Sequence, residues 1–107
     1  MEVLKQELEL EQTIRAGGLL LVQFGTETCA PCLAIREKIE MWRTEHQKIR
    51  YLYVSTEQFP ALCAQESVFS VPTIFVYAEG RLTLRESGYF SLENLLQQVE
   101  RYEYLLP

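Results

Sequence analysis

Two cysteines with two residues between them form the stretch of this sequence best suited to chemistry, Cys29-Ala30-Pro31-Cys32. An apolar run from Leu19 to Phe24 precedes them, and a segment with the periodicity of an amphipathic helix follows. At a helix N-terminus, free backbone N–H groups and the helix dipole favour a thiolate over a thiol. Because the thiolate is the form that attacks a disulfide, this placement predicts a dithiol that opens and closes reversibly.

Other roles are open for these side chains. The two cysteines could be inert or structural, and four residues could in principle supply metal ligands: Cys29, Cys32, Cys63 and His46. Their order and spacing match no common zinc pattern, so we expect no bound metal and no cofactor. Cys63 is predicted to be a small buried hydrophobic residue, with a regulatory thiol as the alternative. His46 is predicted to be an ordinary surface histidine.

Length and composition predict one globular domain over residues 1–107, with 48% hydrophobic and 23% charged residues. The net charge of −5 and the lack of a Lys/Arg cluster argue against nucleic-acid binding. The N-terminal segment is acidic and the longest apolar run is short, so we expect neither a signal peptide nor a membrane anchor. An odd number of cysteines favours a reducing, cytoplasmic setting over a disulfide-stapled secreted scaffold.

The elements that precede the dithiol follow from the spacing of apolar residues. Residues 2–16 are predicted to be helical and to end at Gly17-Gly18, although the alternation over 7–11 leaves a short strand open. Leu19 to Phe24 is predicted to be a strand buried on both faces, as in a parallel sheet covered by helices. The dithiol therefore follows a central strand.

The helix that follows is predicted from Cys32 to Trp42, with Pro31 tolerated in its first turn because no N–H is needed there. Its apolar face carries the residues at positions i, i+3, i+7 and i+10: Cys32, Ile35, Ile39 and Trp42. Cys32 is therefore expected to point inward, and Cys29 to be the more accessible thiol.

The next segment is predicted to form a strand and a short helix. Ile49 to Val54 has the composition of a strand. A short helix is predicted to run to about Glu66, with Ser55 or Thr56 as its cap and Pro60 in its first turn.

The last part of the chain is predicted to be a hairpin and a helix. Strands at Ile74–Tyr77 and Arg81–Glu86 are joined by so tight a turn that they should pair antiparallel. Ser91 is predicted to cap a helix whose apolar face carries Leu92, Leu95, Leu96 and Val99. These elements predict a three-layer α/β sandwich with a mixed sheet.

Three features together resemble the thioredoxin family over most of the chain. Phe24 is followed four residues later by Thr28-Cys29-Ala30-Pro31-Cys32, similar to the family's Phe…Trp-Cys-Gly-Pro-Cys. Val71-Pro72-Thr73 resembles the family's Ile-Pro-Thr with its cis-proline. Glu79-Gly80 and Gly88 are spaced like the family's hairpin and groove glycines. On these residues the chain is identified as a thioredoxin or a thioredoxin-like protein.

The resemblance implies a central mixed sheet of about four to five strands flanked by about four helices. It also implies a protein disulfide reductase, in which Cys29 attacks a substrate disulfide and Cys32 resolves the mixed disulfide. Pro72 would be cis and lie beside the dithiol, with the backbone of the preceding residue pairing with a bound peptide. The substrate groove implied by the family would consist of Thr28, Ala30, Pro31, Val71, Pro72 and Gly88.

The partners implied by the resemblance are disulfide-containing proteins and an external reductase, such as an NADPH-dependent thioredoxin reductase. The reductase is a partner and not a bound cofactor. We expect a monomer that binds neither nucleic acid nor a membrane.

The sequence departs from the family pattern around both cysteines. Thr28 replaces a Trp and Ala30 replaces a Gly. Gln23 stands where the family has a buried Asp that helps to deprotonate the second cysteine, and the accompanying Lys falls near Tyr51. Because an amide is not a base, we expect slow release of the mixed disulfide. These losses leave one alternative open, a low-turnover module that holds a partner at Cys29, Val71 and Pro72.

Overall fold

The strand predicted before the dithiol is the central strand of one mixed sheet in the computed structural model, which describes residues 1–106. The sheet order is β1-β3-β2-β4-β5, with bounds Glu2–Val3 (β1), Leu19–Gly25 (β2), Arg50–Ser55 (β3), Thr73–Ala78 (β4) and Arg81–Ser87 (β5). Strands β1, β3 and β2 are parallel, whereas β4 is antiparallel to both β2 and β5. Every residue of β2 is buried, as expected of a strand covered on both faces.

Four α-helices cover the two faces of the sheet: Glu7–Arg15 (α1), Ala30–Trp42 (α2), Pro60–Gln65 (α3) and Leu92–Leu105 (α4). One hydrophobic core includes Leu10 of α1 and Leu62 of α3. The other includes Ile39 of α2 and Leu95 of α4. The predicted three-layer α/β sandwich is therefore confirmed. Within the described residues, no helix is long and apolar enough to cross a membrane.

The N-terminal segment differs from the helix predicted over 2–16. Its first residues form β1, which pairs in parallel with β3, and α1 begins only at Glu7. The Glu9 carboxylate accepts hydrogen bonds from the backbone N–H groups of Lys5 and Gln6, at 3.1 and 2.9 Å, which fixes the start of the helix. A two-residue strand is too short to produce a period, and the alternating stretch at 7–11 is helical.

The short third helix also begins later than predicted. It starts at Pro60, and Phe59 occupies the N-cap without a side-chain hydrogen bond. Ser55 instead accepts a hydrogen bond from the N–H of Gln58, at 3.2 Å, in the turn that leaves β3. A serine in a turn and a serine at a helix start have the same local signature, so the sequence did not separate them.

The hairpin and the last helix form as predicted. Glu79 and Gly80 have positive φ values, 51° and 83°. Positive φ at both central residues is typical of the two-residue hairpin turns whose twist matches the right-handed twist of the flanking strands. The hydroxyl of Ser91 accepts a hydrogen bond from the N–H of Asn94, at 3.1 Å, and caps α4.

Candidate active site

The two cysteines of the Cys-x-x-Cys stretch form a disulfide at the start of α2, with their Cα atoms 5.2 Å apart. Cys29 is the N-cap of the helix, and its sulfur accepts a hydrogen bond from the N–H of Cys32 at 3.2 Å. Pro31 lies in the first turn. Cys29 is partly exposed whereas Cys32 is fully buried, as the helical spacing predicted. The more exposed cysteine therefore lies where free N–H groups favour a thiolate.

Gly25, the last residue of β2, gives the dithiol its close approach to the sheet. A Cβ on Gly25 would lie 2.9 Å from Cys32 Cβ, 3.0 Å from Cys32 Sγ and 2.5 Å from the hydroxyl oxygen of Tyr53. These distances are shorter than ordinary Cβ contacts, so a side chain here would force Cys32 and Tyr53 to shift. This role is not visible in the sequence, because a glycine between a strand and a loop has the same local pattern as a turn residue.

Gln23 is fully buried beneath the second cysteine. Its Nε2 donates a hydrogen bond to the backbone carbonyl of Cys32 at 2.8 Å. Its Oε1 is buried and has no hydrogen-bond partner among the described residues. The amide therefore holds the backbone of Cys32 in place, but it has no basic group that could take the thiol proton.

Tyr53, rather than Tyr51, is the residue of β3 beside Gln23. The parallel register pairs Gln23 with Tyr53 and pairs Leu21 with Tyr51, one side-chain repeat further from the dithiol. The hydroxyl of Tyr51 donates to the carbonyl of His46 at 2.8 Å, away from the cysteines. Tyr53, two residues beyond Tyr51, is therefore the β3 residue whose side chain belongs to the dithiol site. Both tyrosines face the same side of the strand, and only the register distinguishes them.

The hydroxyl of Tyr53 lies under the dithiol and donates to the carbonyl of Thr26 at 3.4 Å. Burial raises the pKa of Tyr53; the positive charge of Arg36 partly offsets this and the negative charge of Glu27 adds to it. The Arg36 guanidinium lies 4.3 Å from the centre of the Tyr53 ring. The tyrosine therefore stays protonated and can donate a hydrogen bond at neutral pH.

The Val71–Pro72 peptide bond is cis, as the resemblance implies. Phe24 near the end of β2 pairs with Thr73 at the start of β4. The cis bond that precedes β4 therefore lies at the same end of these two strands as the dithiol that follows β2. Pro72 is buried and Val71 is partly exposed. Within residues 1–106, the Val71 backbone makes no hydrogen bond, so its N–H and C=O are available to another chain.

Gly88 lies on the other side of the cis-proline, and its N–H donates to the carbonyl of Pro72 at 3.0 Å. Its φ of +71° favours glycine, whereas a Cβ would meet nothing within 4 Å. The predicted groove residues Thr28, Ala30, Pro31 and Gly88 are all exposed.

His46 and Cys63 are not part of the dithiol site. The His46 side chain is only 13% exposed, its ring stacks on Trp42 at 3.6 Å, and its Nδ1 lies 2.7 Å from Glu103 Oε1. The prediction of an ordinary surface histidine is wrong, because Trp42 and Glu103 cover the ring; the i, i+4 spacing of Trp42 and His46 was the available signal. Cys63 is a free, buried thiol as predicted, and burial raises its pKa. In the described part of the chain, no group of three or more His, Cys, Asp or Glu residues could hold a metal.

The chain is similar in sequence and structure to thioredoxins. A family model described as Thioredoxin matches residues 2–101. Thioredoxin from Acetoanaerobium sticklandii is 33% identical, covering 75% of this chain and 76% of its own. Thioredoxin from Chlamydia trachomatis is 27% identical, covering 82% of this chain and 86% of its own. The X-ray structure of Fasciola hepatica thioredoxin is similar with a TM-score of 0.85 at 29% identity, covering 95% of this chain and 99% of that one.

Proposed function

Because this chain belongs to the thioredoxin family and is a thiol-disulfide oxidoreductase, we propose that it reduces disulfides in proteins through Cys29 and Cys32. The observation that supports this most directly is the partly exposed Cys29 at the N-cap of α2, bonded to the buried Cys32. A nucleophile must be accessible to substrate, whereas a resolving thiol must reach only its neighbour.

The proposed cycle has two exchange steps. The Cys29 thiolate attacks one sulfur of the substrate disulfide; that disulfide breaks, and its other sulfur leaves as a thiolate and takes a proton from water. The Cys32 thiolate then attacks Cys29 Sγ, the bond between Cys29 and the substrate breaks, and the second substrate sulfur leaves. The substrate gains two electrons and two protons, and the chain is left with the Cys29–Cys32 disulfide.

We propose that the substrate binds as an extended strand against Val71. The unpaired N–H and C=O of Val71 support this role, because they can form the hydrogen bonds of one added strand. The neighbouring surface proposed to contact the substrate consists of Thr28, Ala30, Pro31, Pro72 and Gly88. Of these, Thr28 and Ala30 are small residues, so this groove should discriminate weakly among substrate side chains.

The rest of the cycle needs an electron donor. The proposed donor is a separate reductase, such as an NADPH-dependent thioredoxin reductase, which returns the disulfide to the dithiol. We propose that the chain works as a monomer of one domain over residues 1–107. The proposed setting is the cytoplasm, since a free thiol at Cys63 and a dithiol that must be re-reduced both suit a reducing compartment.

Reduction of insulin by dithiothreitol tests this function. The wild-type chain should accelerate insulin reduction, and a Cys29→Ser variant should reduce insulin no faster than dithiothreitol alone. A Cys63→Ser variant is the matched control, because it also removes one thiol and should keep the activity. Equal rates for the wild type and Cys29→Ser would contradict the proposal.

A further inference from the structure

The hydroxyl of Tyr53 and the sulfur of Cys32 face one small space above Gly25. The position that a Cβ would take on Gly25 is 2.5 Å from the Tyr53 oxygen and 3.0 Å from Cys32 Sγ. Glycine leaves this position empty, so the two atoms border the same open position. The bond from the Tyr53 hydroxyl to the Thr26 carbonyl is 3.4 Å long, which is weak for an O–H donor. The hydroxyl can therefore turn to a better acceptor at little cost.

A better acceptor forms when Cys32 loses its proton. In the disulfide, Cys32 Sγ is neutral and accepts hydrogen bonds poorly. In the resolving step it becomes a thiolate that is fully buried, and a buried charge needs a hydrogen-bond donor. The Gln23 amide is directed at the backbone of Cys32 and not at its sulfur, since its Nε2 donates to the Cys32 carbonyl.

We propose that Tyr53 is a catalytic residue that donates a hydrogen bond to the Cys32 thiolate while it attacks Cys29. This role rests on the proposed two-step cycle. The Cys32 proton passes to water, and the tyrosine keeps its own proton throughout. The thiolate then forms a bond with Cys29 Sγ, the bond from Cys29 to the substrate breaks, and the substrate sulfur leaves with the electron pair and takes up a proton. Tyr53 thus stabilises the nucleophile without acting as a base.

The charges around Tyr53 agree with a donor role. Arg36 of α2 lies over the ring, and Glu27 precedes the dithiol on the loop from β2. Burial and Glu27 raise the pKa of Tyr53, so the hydroxyl retains its proton at neutral pH. In the mixed disulfide Cys29 carries no charge, so it does not compete for the hydrogen bond.

The expected effect on rate depends on pH. A hydrogen bond to a charged group increases the thiolate population, but a more stable thiolate is also a weaker nucleophile. When the smaller thiolate population and the higher nucleophilicity are combined, loss of the hydroxyl should slow resolution by about three- to fifteenfold at neutral pH. At a pH where Cys32 is fully ionised in both proteins, the variant should be equal to the wild type or faster.

Single-turnover reaction with dithiobis(nitrobenzoate) measures the two steps separately. Attack by Cys29 releases one coloured thionitrobenzoate, and resolution by Cys32 releases a second in a phase independent of concentration. All proteins carry Cys63→Ala, so that two thiols remain. The test variant is Tyr53→Phe, and the matched control is Tyr51→Phe, which removes a hydroxyl from the same face of the same strand. A second readout titrates Cys32 alone in Cys29→Ser proteins with and without Tyr53→Phe.

We expect Tyr53→Phe, but not Tyr51→Phe, to slow the second phase at neutral pH. The rate of this phase should recover at high pH, and the titration midpoint of Cys32 should be raised. Equal second phases at every pH, or the same slowing at every pH with an unchanged midpoint, would overturn it. If Tyr53→Phe does not fold, the Cys29→Ser titration is carried out with 3-fluorotyrosine at position 53. Its more acidic hydroxyl is a stronger donor and should lower the titration midpoint of Cys32, and an unchanged midpoint would overturn the proposal. If the wild type releases no second thionitrobenzoate, the two-step cycle itself fails, which is a different result.

Discussion

The two sulfur atoms of the disulfide lie in different surroundings. Cys29 is partly exposed at the N-cap of α2, at the sheet edge where the Val71–Pro72 bond lies. Cys32 is fully buried above Gln23 and beside the tyrosine hydroxyl. The helix terminus can activate Cys29 with backbone groups alone, whereas Cys32 depends on side chains that come from other strands. The first step of the reaction is therefore governed by local structure, and the second by packing.

The largest effect expected from this comparison is a complete separation of the two steps. We call Cys29 and its surroundings the exposed half of the site, and Cys32 and its surroundings the buried half. In Cys32→Ser, the exposed half is intact and the buried half has lost its nucleophile. Turnover should therefore fall to the background rate while the substrate stays bound to Cys29. Cys29→Ser should show the same loss of turnover but form no adduct. Intact-mass analysis of each variant after mixing with an oxidised substrate measures this, and an adduct on both variants would show that the two halves are not distinct.

The next largest effect is expected at Gly25, where the buried half has no spare volume. Gly25→Ala would place a Cβ 2.9 Å from Cys32 Cβ, and such overpacking should lower the free energy of unfolding by about 1–3 kcal/mol. Gly88→Asn is the matched change in the exposed half. It meets open space and keeps a residue that tolerates positive φ, so it should cost less than about 1 kcal/mol. Urea denaturation of the oxidised proteins measures both, and equal losses would contradict the contrast.

A smaller effect is expected from restoring a base to the buried half. Gln23→Asp should speed the resolving phase by roughly tenfold, since a carboxylate beside Cys32 can take its proton. Gln23→Asn shortens the side chain equally and adds no base, so it should not speed this phase. The second phase of thionitrobenzoate release measures both variants. Equal acceleration in the two would point to added space or water, and no change in either would remove Gln23 from the mechanism.

The features that the sequence predicted depend on local pattern or on a motif, and those that it did not predict depend on packing between strands. Helical spacing was sufficient to bury Cys32 and expose Cys29, and the family resemblance was sufficient for the cis bond before Pro72. These features depend on residues close in sequence or on a motif. The role of Gly25 and the position of Tyr53 depend on the register between β2 and β3, which apolar runs do not specify when both strands are buried on both faces.

Two errors away from the dithiol have related causes. The first residues join the sheet as β1 because the edge of β3 is available to them, and a two-residue strand leaves no periodic signal. His46 is covered by Trp42 and by Glu103, which is far away in the sequence. In both places a long-range contact decides the structure, and local pattern cannot show it.

The identity of the sulfur atom that carries the substrate tests the central claim most directly. Wild-type protein would be mixed with a slowly resolving peptide disulfide, quenched with acid during turnover, alkylated at its free thiols and mapped by mass spectrometry. The difference between the exposed and buried halves predicts peptide on Cys29 and alkylation on Cys32. Peptide on Cys32 with Cys29 alkylated would contradict it.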